Sequence, residues 1–147
     1  MKRIRKGVML LLLVMLFLAG CSETNSLQDG YYTAQALAYN YGWKEYITIM
    51  VKGGSIVSVE YNAENASGFI KSWDNAYMQN MLHTNGTYPN EYTRYYAGQF
   101  LDGQGEGEIE ALTGATSSYN SFQKLAAAVL EQARKGDSNI IIVDTGH

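Results

Sequence analysis

Tyr46-Ile47-Thr48-Ile49-Met50-Val51-Lys52-Gly53-Gly54-Ser55-Ile56-Val57-Ser58-Val59-Glu60-Tyr61 is a pair of alternating runs joined by two glycines. Alternation of large apolar residues with others marks a half-buried strand, and the glycines supply a turn, so residues 46–52 and 57–61 read as an antiparallel hairpin. The register follows from which side chains must share a face. A three-residue loop, 53–55, sets Val51 opposite Val57, Ile49 opposite Val59 and Ile47 opposite Tyr61, gathering the large apolar residues together. A two-residue Gly-Gly loop would set Val51 opposite Ile56 and bring Ser58 and Glu60 onto the face of Ile47 and Ile49. Because a one-residue slip reverses every side chain, the three-residue loop is predicted.

Elements on either side complete the fold class. Residues 30–39 open with Tyr31 and Tyr32 as an entering strand, although Ala34, Ala36 and Ala38 leave a helix open. Residues 72–82 place Trp73, Ala76, Tyr77, Met81 and Leu82 at helical spacing behind a Ser or Asp cap, and the aromatic-rich stretch 88–101 holds a second helix after Pro89. A third helix is the strongest: Phe122, Leu125, Ala126, Val129, Leu130 and Ala133 recur at steps of three and four, and Gly136 stops it. Ile140-Ile141-Ile142-Val143 then reads as a short final strand or a tail, with the strand favoured by its β-branched residues. The fold class is α+β, a small antiparallel sheet packed against helices. No internal repeat and only one proline, Pro89, occur, so a single domain is expected.

The chemistry concentrates in Glu110-Ala111-Leu112-Thr113-Gly114-Ala115-Thr116-Ser117-Ser118, immediately before the third helix. Small and hydroxyl residues entering a helix leave free backbone N–H groups beside the positive end of its dipole, which suits a phosphate. Gly114 and Ala115 let a phosphodiester approach the backbone, and Thr116 offers a hydroxyl to hold it. The same composition also serves as an ordinary cap, with Ser117 or Ser118 satisfying the N–H groups and nothing bound.

This run resembles the FMN-binding domain family, the flavin-carrying domain of sodium-pumping and Rnf-type redox complexes and of small bacterial lipoproteins. The resemblance rests on Thr113, Gly114, Ala115 and Thr116, with Ser117, Ser118 and Phe122 continuing into the helix and Glu110 at the motif's acidic position, where Asp is usual. Residues 68–81 are similar to a stretch of the lipoprotein members. The resemblance implies FMN as cofactor, esterified through its phosphate to Thr116 from FAD by a flavin transferase, with Thr113, Gly114, Ala115 and Ser117 around it. Lys71 is a further candidate, as a cation near the ring's pyrimidine edge would stabilise its anionic reduced form. The implied role is an electron carrier with redox partner proteins, rather than an enzyme with catalytic residues of its own. The alternative is a flavin-free envelope lipoprotein acting as a binding or structural component.

The N-terminus supplies the address. Met1-Lys2-Arg3-Ile4-Arg5-Lys6 is basic, residues 8–18 are apolar, and Leu18-Ala19-Gly20-Cys21 reads as a lipobox. The apolar run is short for a membrane span and its flanks are those of an export signal. Residues 1–20 are therefore read as a lipoprotein signal peptide, Cys21 as the lipidation site, residues 21–29 as a tether and 30–147 as the FMN-binding domain. The expected location is extracytoplasmic, anchored to a bacterial membrane by lipid.

Composition excludes other classes. Cys21 is the single cysteine, so after lipidation no thiol remains for a disulfide, a metal or nucleophilic catalysis. Removal of the signal leaves seven basic residues against fourteen acidic ones, a net charge near −7, which argues against nucleic acid as partner. His83 has no companion short of His147, so a histidine metal site is not expected. The glycine-rich run from Asp102 to Glu108 lacks the spacing of a nucleotide loop. Twelve tyrosines with Trp43 and Trp73 supply flat apolar walls for a ring, or ordinary sheet packing.

Overall fold

A computed structural model describes residues 26–146. Four strands, β1 (Gly30–Ala36), β2 (Lys44–Lys52), β3 (Ser55–Glu64) and β4 (Ile141–Val143), form one sheet in the order β3-β2-β1-β4. Three helices, α1 (Asn75–Asn85), α2 (Pro89–Asp102) and α3 (Thr116–Lys135), accompany it, with a 3-10 turn, Lys71–Trp73, ahead of α1. The architecture is α+β. Strands β1, β2 and β3 are antiparallel, as expected, but β4 runs parallel to β1, pairing Ala34 with Ile141 and Ala36 with Val143. The run 141–143 is thus a strand rather than a tail.

One face of the sheet carries the core. Tyr32, Ala34, Ile47, Ile49, Val51, Ile56 and Tyr61 are buried against Phe122, Leu125, Val129 and Ala133 of α3 and Tyr92, Tyr96 and Phe100 of α2. In β1 the alternation, with Tyr32, Ala34 and Ala36 buried, settles the strand over the helix. The small side chains of Ala34 and Ala36 suit the place where α3 packs on β1.

The hairpin differs from its predicted register at one pair, and the cause is local. Gly53 and Gly54 both have positive φ, 63° and 74°, and Lys52 pairs with Ser55, so the loop has two residues. Met50 pairs with Ser58 but Val51 pairs with Ile56, leaving Val57 as the extra residue of a bulge. Val51 therefore does not face Val57. Ile49–Val59 and Ile47–Tyr61 stand as predicted. The bulge reconciles a two-residue turn with an apolar face: Ile56 is buried and Val57 exposed.

The helices also correct the sequence at their edges. Helix α1 begins after Asp74, whose carboxylate accepts the Tyr77 N–H at 2.9 Å, and ends at the left-handed Gly86. The helix is present as expected but starts later: none of its residues is fully buried, Met81 packs against the core, Leu82 is exposed, and Trp73 belongs to the exposed end of the 3-10 turn. Pro89 occupies the first turn of α2, where its missing N–H leaves no bond unmade. Gly136, with φ 69°, ends α3 as expected.

The end of the proposed tether is docked on the domain. The Gln28 N–H donates to the Ala133 carbonyl at 2.9 Å, the Tyr32 hydroxyl donates to the Gln28 carbonyl at 3.0 Å, and Asp29 accepts the Gly54 N–H at 2.9 Å. Leu27 packs against the core. The signal peptide, Cys21, the first part of the tether and His147 lie outside the described residues.

Candidate functional site

The run from Glu110 to Ser118 is clamped by α2 and by the sheet. Gln99 on α2 pairs with Glu110 as a strand would: its amide oxygen accepts the Glu110 N–H at 2.8 Å and its NH2 donates to the Glu110 carbonyl at 3.4 Å. The Tyr95 hydroxyl donates to the Glu110 carboxylate at 3.3 Å. The Tyr96 hydroxyl accepts the Leu112 N–H at 3.2 Å and donates to the Ala115 carbonyl at 3.4 Å. On the sheet side, Tyr61 donates to the Ser118 carbonyl at 2.8 Å and to the Glu45 carboxylate at 2.9 Å. The turn is fixed by the fold rather than by its own side chains.

Gly114 has a structural reason that the sequence did not reveal. Its φ is 86°, and a β-carbon there would lie 2.1 Å from the Asn85 carbonyl oxygen at the end of α1. Glycine is required by the backbone of α1, whatever binds nearby. The helix then starts at Thr116 with Ala115 as N-cap, and no side chain caps it. Ser117 and Ser118 are inside the helix instead of capping it, so the ordinary-cap reading loses its mechanism.

Beside this turn lies a cavity of about 280 Å³. Helix α1 and the 40–43 turn enclose it together with α3, and its walls include Trp43, Tyr77, Met81 and Tyr92. The rings of Trp43 and Tyr77 meet edge to face at 5.7 Å. Gly114, Ala115, Ser117 and Ser118 contribute the motif side. Lys71 contributes a charge. Its ammonium stands 5.1 Å from the centre of the Tyr77 ring and 5.9 Å from that of Tyr92, and the residue is 8% exposed. Among the described residues its ammonium makes no hydrogen bond or ion pair. Burial pushes its pKa below the ordinary lysine value, and the negative charge of Glu45, also on the cavity wall, opposes that shift. The cavity is thus bordered by one ammonium, one carboxylate and the start of α3, where no side chain caps the helix.

Local structure explains how Lys71 reaches it. Asn65 accepts the N–H groups of Ser67 and Phe69, Glu64 bridges Ile70, and the Asn62 amide donates to the Ser72 hydroxyl at 2.8 Å, which pins the 3-10 turn. Lys71, singled out in the sequence, thus joins Gly114, Ala115 and Ser117 in one cavity. Thr116 is exposed and does not line it, although both of its neighbours do. Thr113 is exposed and Glu110 faces Tyr95, so neither is part of the wall. Glu45, Tyr41 and Asn85 were missed. Glu45 was within reach, since it shares the inward parity of Ile47, Ile49 and Val51. A wider groove of about 620 Å³ lies between β3 and α2, with Trp73 and Arg94 on its walls, but no residue of the 110–118 run lines it.

The chain is 32% identical over 126 residues to the 15 kDa lipoprotein of Treponema pallidum (strain Nichols), across 85% of this chain and 89% of that protein. It belongs to that lipoprotein's family. A crystal structure of a Clostridium perfringens protein matches this lipoprotein-family chain with a TM-score of 0.75 and 34% identity, over 80% of this chain and 98% of that one. A solution structure of a Clostridium thermocellum protein matches with a TM-score of 0.50 and 27% identity, over 73% and 92% of the two chains. No family model matches the sequence. Among the described residues no helix is long and apolar enough to cross a membrane. Family membership agrees with the lipobox ending at Cys21.

Proposed function

We propose that this lipoprotein is an extracytoplasmic, membrane-anchored flavoprotein of the FMN-binding type, an electron carrier rather than an enzyme, with FMN esterified through its phosphate to Thr116. The observation that carries the proposal is the convergence on one cavity of aromatic walls, the ammonium of Lys71 and the uncapped start of α3. At about 280 Å³ the cavity is near the lower end of the roughly 300–1,000 Å³ typical of small-molecule sites, so it suits a ring rather than a whole nucleotide. The exposure of Thr116 between two cavity-lining residues supports a phosphate held outside with a ring within.

Bound FMN would pass one or two electrons through its ring. Trp43, Tyr77 and Met81 offer that ring apolar surface, and Lys71 favours whichever of its forms carries more negative charge. A flavin transferase would join the Thr116 hydroxyl to the FMN-side phosphorus of FAD, breaking the anhydride bond and releasing AMP, which takes the hydroxyl proton. Covalent attachment fits the location, because a dissociable cofactor is diluted outside the cell. Redox partner proteins at the membrane would supply and remove electrons.

The test is expression of the full chain with a flavin transferase, followed by intact mass and visible absorbance. The proposal expects a yellow protein heavier by one FMN less water, with both changes lost in Thr116→Ala. Colourless protein of unmodified mass would leave a flavin-free envelope lipoprotein. Glu110→Asp measures how the transferase reads the acidic position, since Glu110 is presented by Tyr95 and Gln99 away from the cavity.

A further inference from the structure

Asn40 and Trp43 close a two-residue turn, with the Asn40 N–H donating to the Trp43 carbonyl at 2.8 Å and the Trp43 N–H returning to the Asn40 carbonyl at 3.0 Å. Both central residues have positive φ, 49° at Tyr41 and 83° at Gly42. Such turns favour Asn-Gly, because a β-carbon is strained in the left-handed region and a short polar side chain tolerates it best. Gly42 is at ease there. Tyr41 is not.

The turn's own backbone hydrogen bonds hold Tyr41 there, and no contact of its side chain among the described residues offsets that strain. Tyr41 is 91% exposed, and among the described residues its ring makes no hydrogen bond and no ring contact. Yet it lines the cavity, on the same wall as Trp43, and the Asn40 amide donates to the Ser117 hydroxyl at 3.5 Å, which ties the turn to the start of α3 next to Thr116. A large flat side chain is therefore held at an unfavourable backbone position, in water, beside an aromatic cavity that it does not fill.

We infer that Tyr41 is a ring-stacking residue: the 40–43 turn presents its phenol to a planar aromatic ligand seated in the cavity and covers the ring from solvent. This deepens the flavin proposal and rests on it, naming the residue that shields the ring and the reason a tyrosine sits where asparagine would fold better. Offset stacking on one more aromatic side chain shifts the covered-to-open ratio of a bound ring by roughly fivefold.

The experiment uses the full chain produced with a flavin transferase, and compares the parent with Tyr41→Asn, Tyr41→Gly and Tyr41→Phe. Asparagine and glycine both suit the left-handed turn, so the flavin-free forms of these two variants melt above the flavin-free parent. In the loaded proteins, collisional quenching of flavin fluorescence by iodide reports access to the ring. Tyr41→Asn and Tyr41→Gly raise the quenching constant roughly fivefold, while Tyr41→Phe, which keeps a flat ring, stays within about twofold of the parent. Equal quenching in parent, Asn and Gly variants, on protein that carries flavin, overturns the stacking role and leaves the flavin proposal standing. Parent protein without flavin overturns both.

Discussion

Gly114→Ala tests the claim that the motif turn is built by close approach to α1. Two costs apply. The new β-carbon sits at φ 86°, a left-handed conformation costing about 1–2 kcal/mol for an L side chain. It also falls 2.1 Å from the Asn85 carbonyl oxygen and 3.1 Å from the Thr87 methyl, so backbone at the end of α1 must move, which as overpacking costs about 1–3 kcal/mol. The sum is about 2–5 kcal/mol, a large share of the 5–15 kcal/mol that holds a domain. In urea, followed by circular dichroism on the flavin-free full chain, the midpoint falls by about 1–2 M at unchanged slope. Gly107→Ala is the control, with φ 90° but nothing within 4 Å, so it bears only the first cost. Equal midpoint shifts for the two variants would refute the contact argument. A Gly114→Ala loss below about 0.5 kcal/mol would refute both terms.

Lys71→Met removes a buried ammonium whose pKa is depressed by burial, so its charged form is less favourable folded than unfolded. The flavin-free variant gains about 1 kcal/mol at neutral pH, read by thermal melting, and loaded protein becomes harder to reduce, read by potentiometry. Tyr61→Phe strips the hydroxyl shared by the Glu45 carboxylate and the Ser118 carbonyl, and costs about 1.5–3 kcal/mol in urea. Alkaline unfolding has its own sign: burial raises Tyr61 well above 10 and Tyr46 to about 12, so stability held below the unfolded value of 10 is lost as pH rises through the folded values. Tyr46→Phe removes one such group and moves the alkaline midpoint upward, followed by tyrosinate absorbance. Helix α1 has no buried residue, so its amides exchange with deuterium well before those of α3, and flavin loading slows α1 selectively because α1 lines the cavity. Uniform protection across both helices would contradict that assignment.

Patterns that depend on neighbours in the chain were legible. The alternation in β2, the apolar stripe of α3, Pro89 at the start of α2 and Gly136 at the end of α3 all follow from local rules. The bulge at Val57 was not, because it arises from a conflict between turn geometry and face burial that either rule alone decides differently. Helix α1 misled for another reason: Tyr77 and Met81 share a face, but the space they border is a cavity, while Trp73 precedes the helix and lines the wider groove. That cavity brings Trp43 and Glu45, Lys71, Tyr77 and Met81, and Ser117 together, which no single stretch does. Gly114 carries the same lesson. Its small size was attributed to a ligand's approach, whereas the atom that needs the space is the Asn85 carbonyl oxygen.

The central claim is a covalent flavin on one hydroxyl among several. Cleavage after arginine and lysine releases residues 95–124 as one peptide, which holds Thr113, Thr116, Ser117 and Ser118 together. Fragmentation of that peptide, from full chain coexpressed with a flavin transferase, locates the FMN ester on Thr116. An unmodified peptide, or an adduct on Thr113, Ser117 or Ser118, would contradict the account.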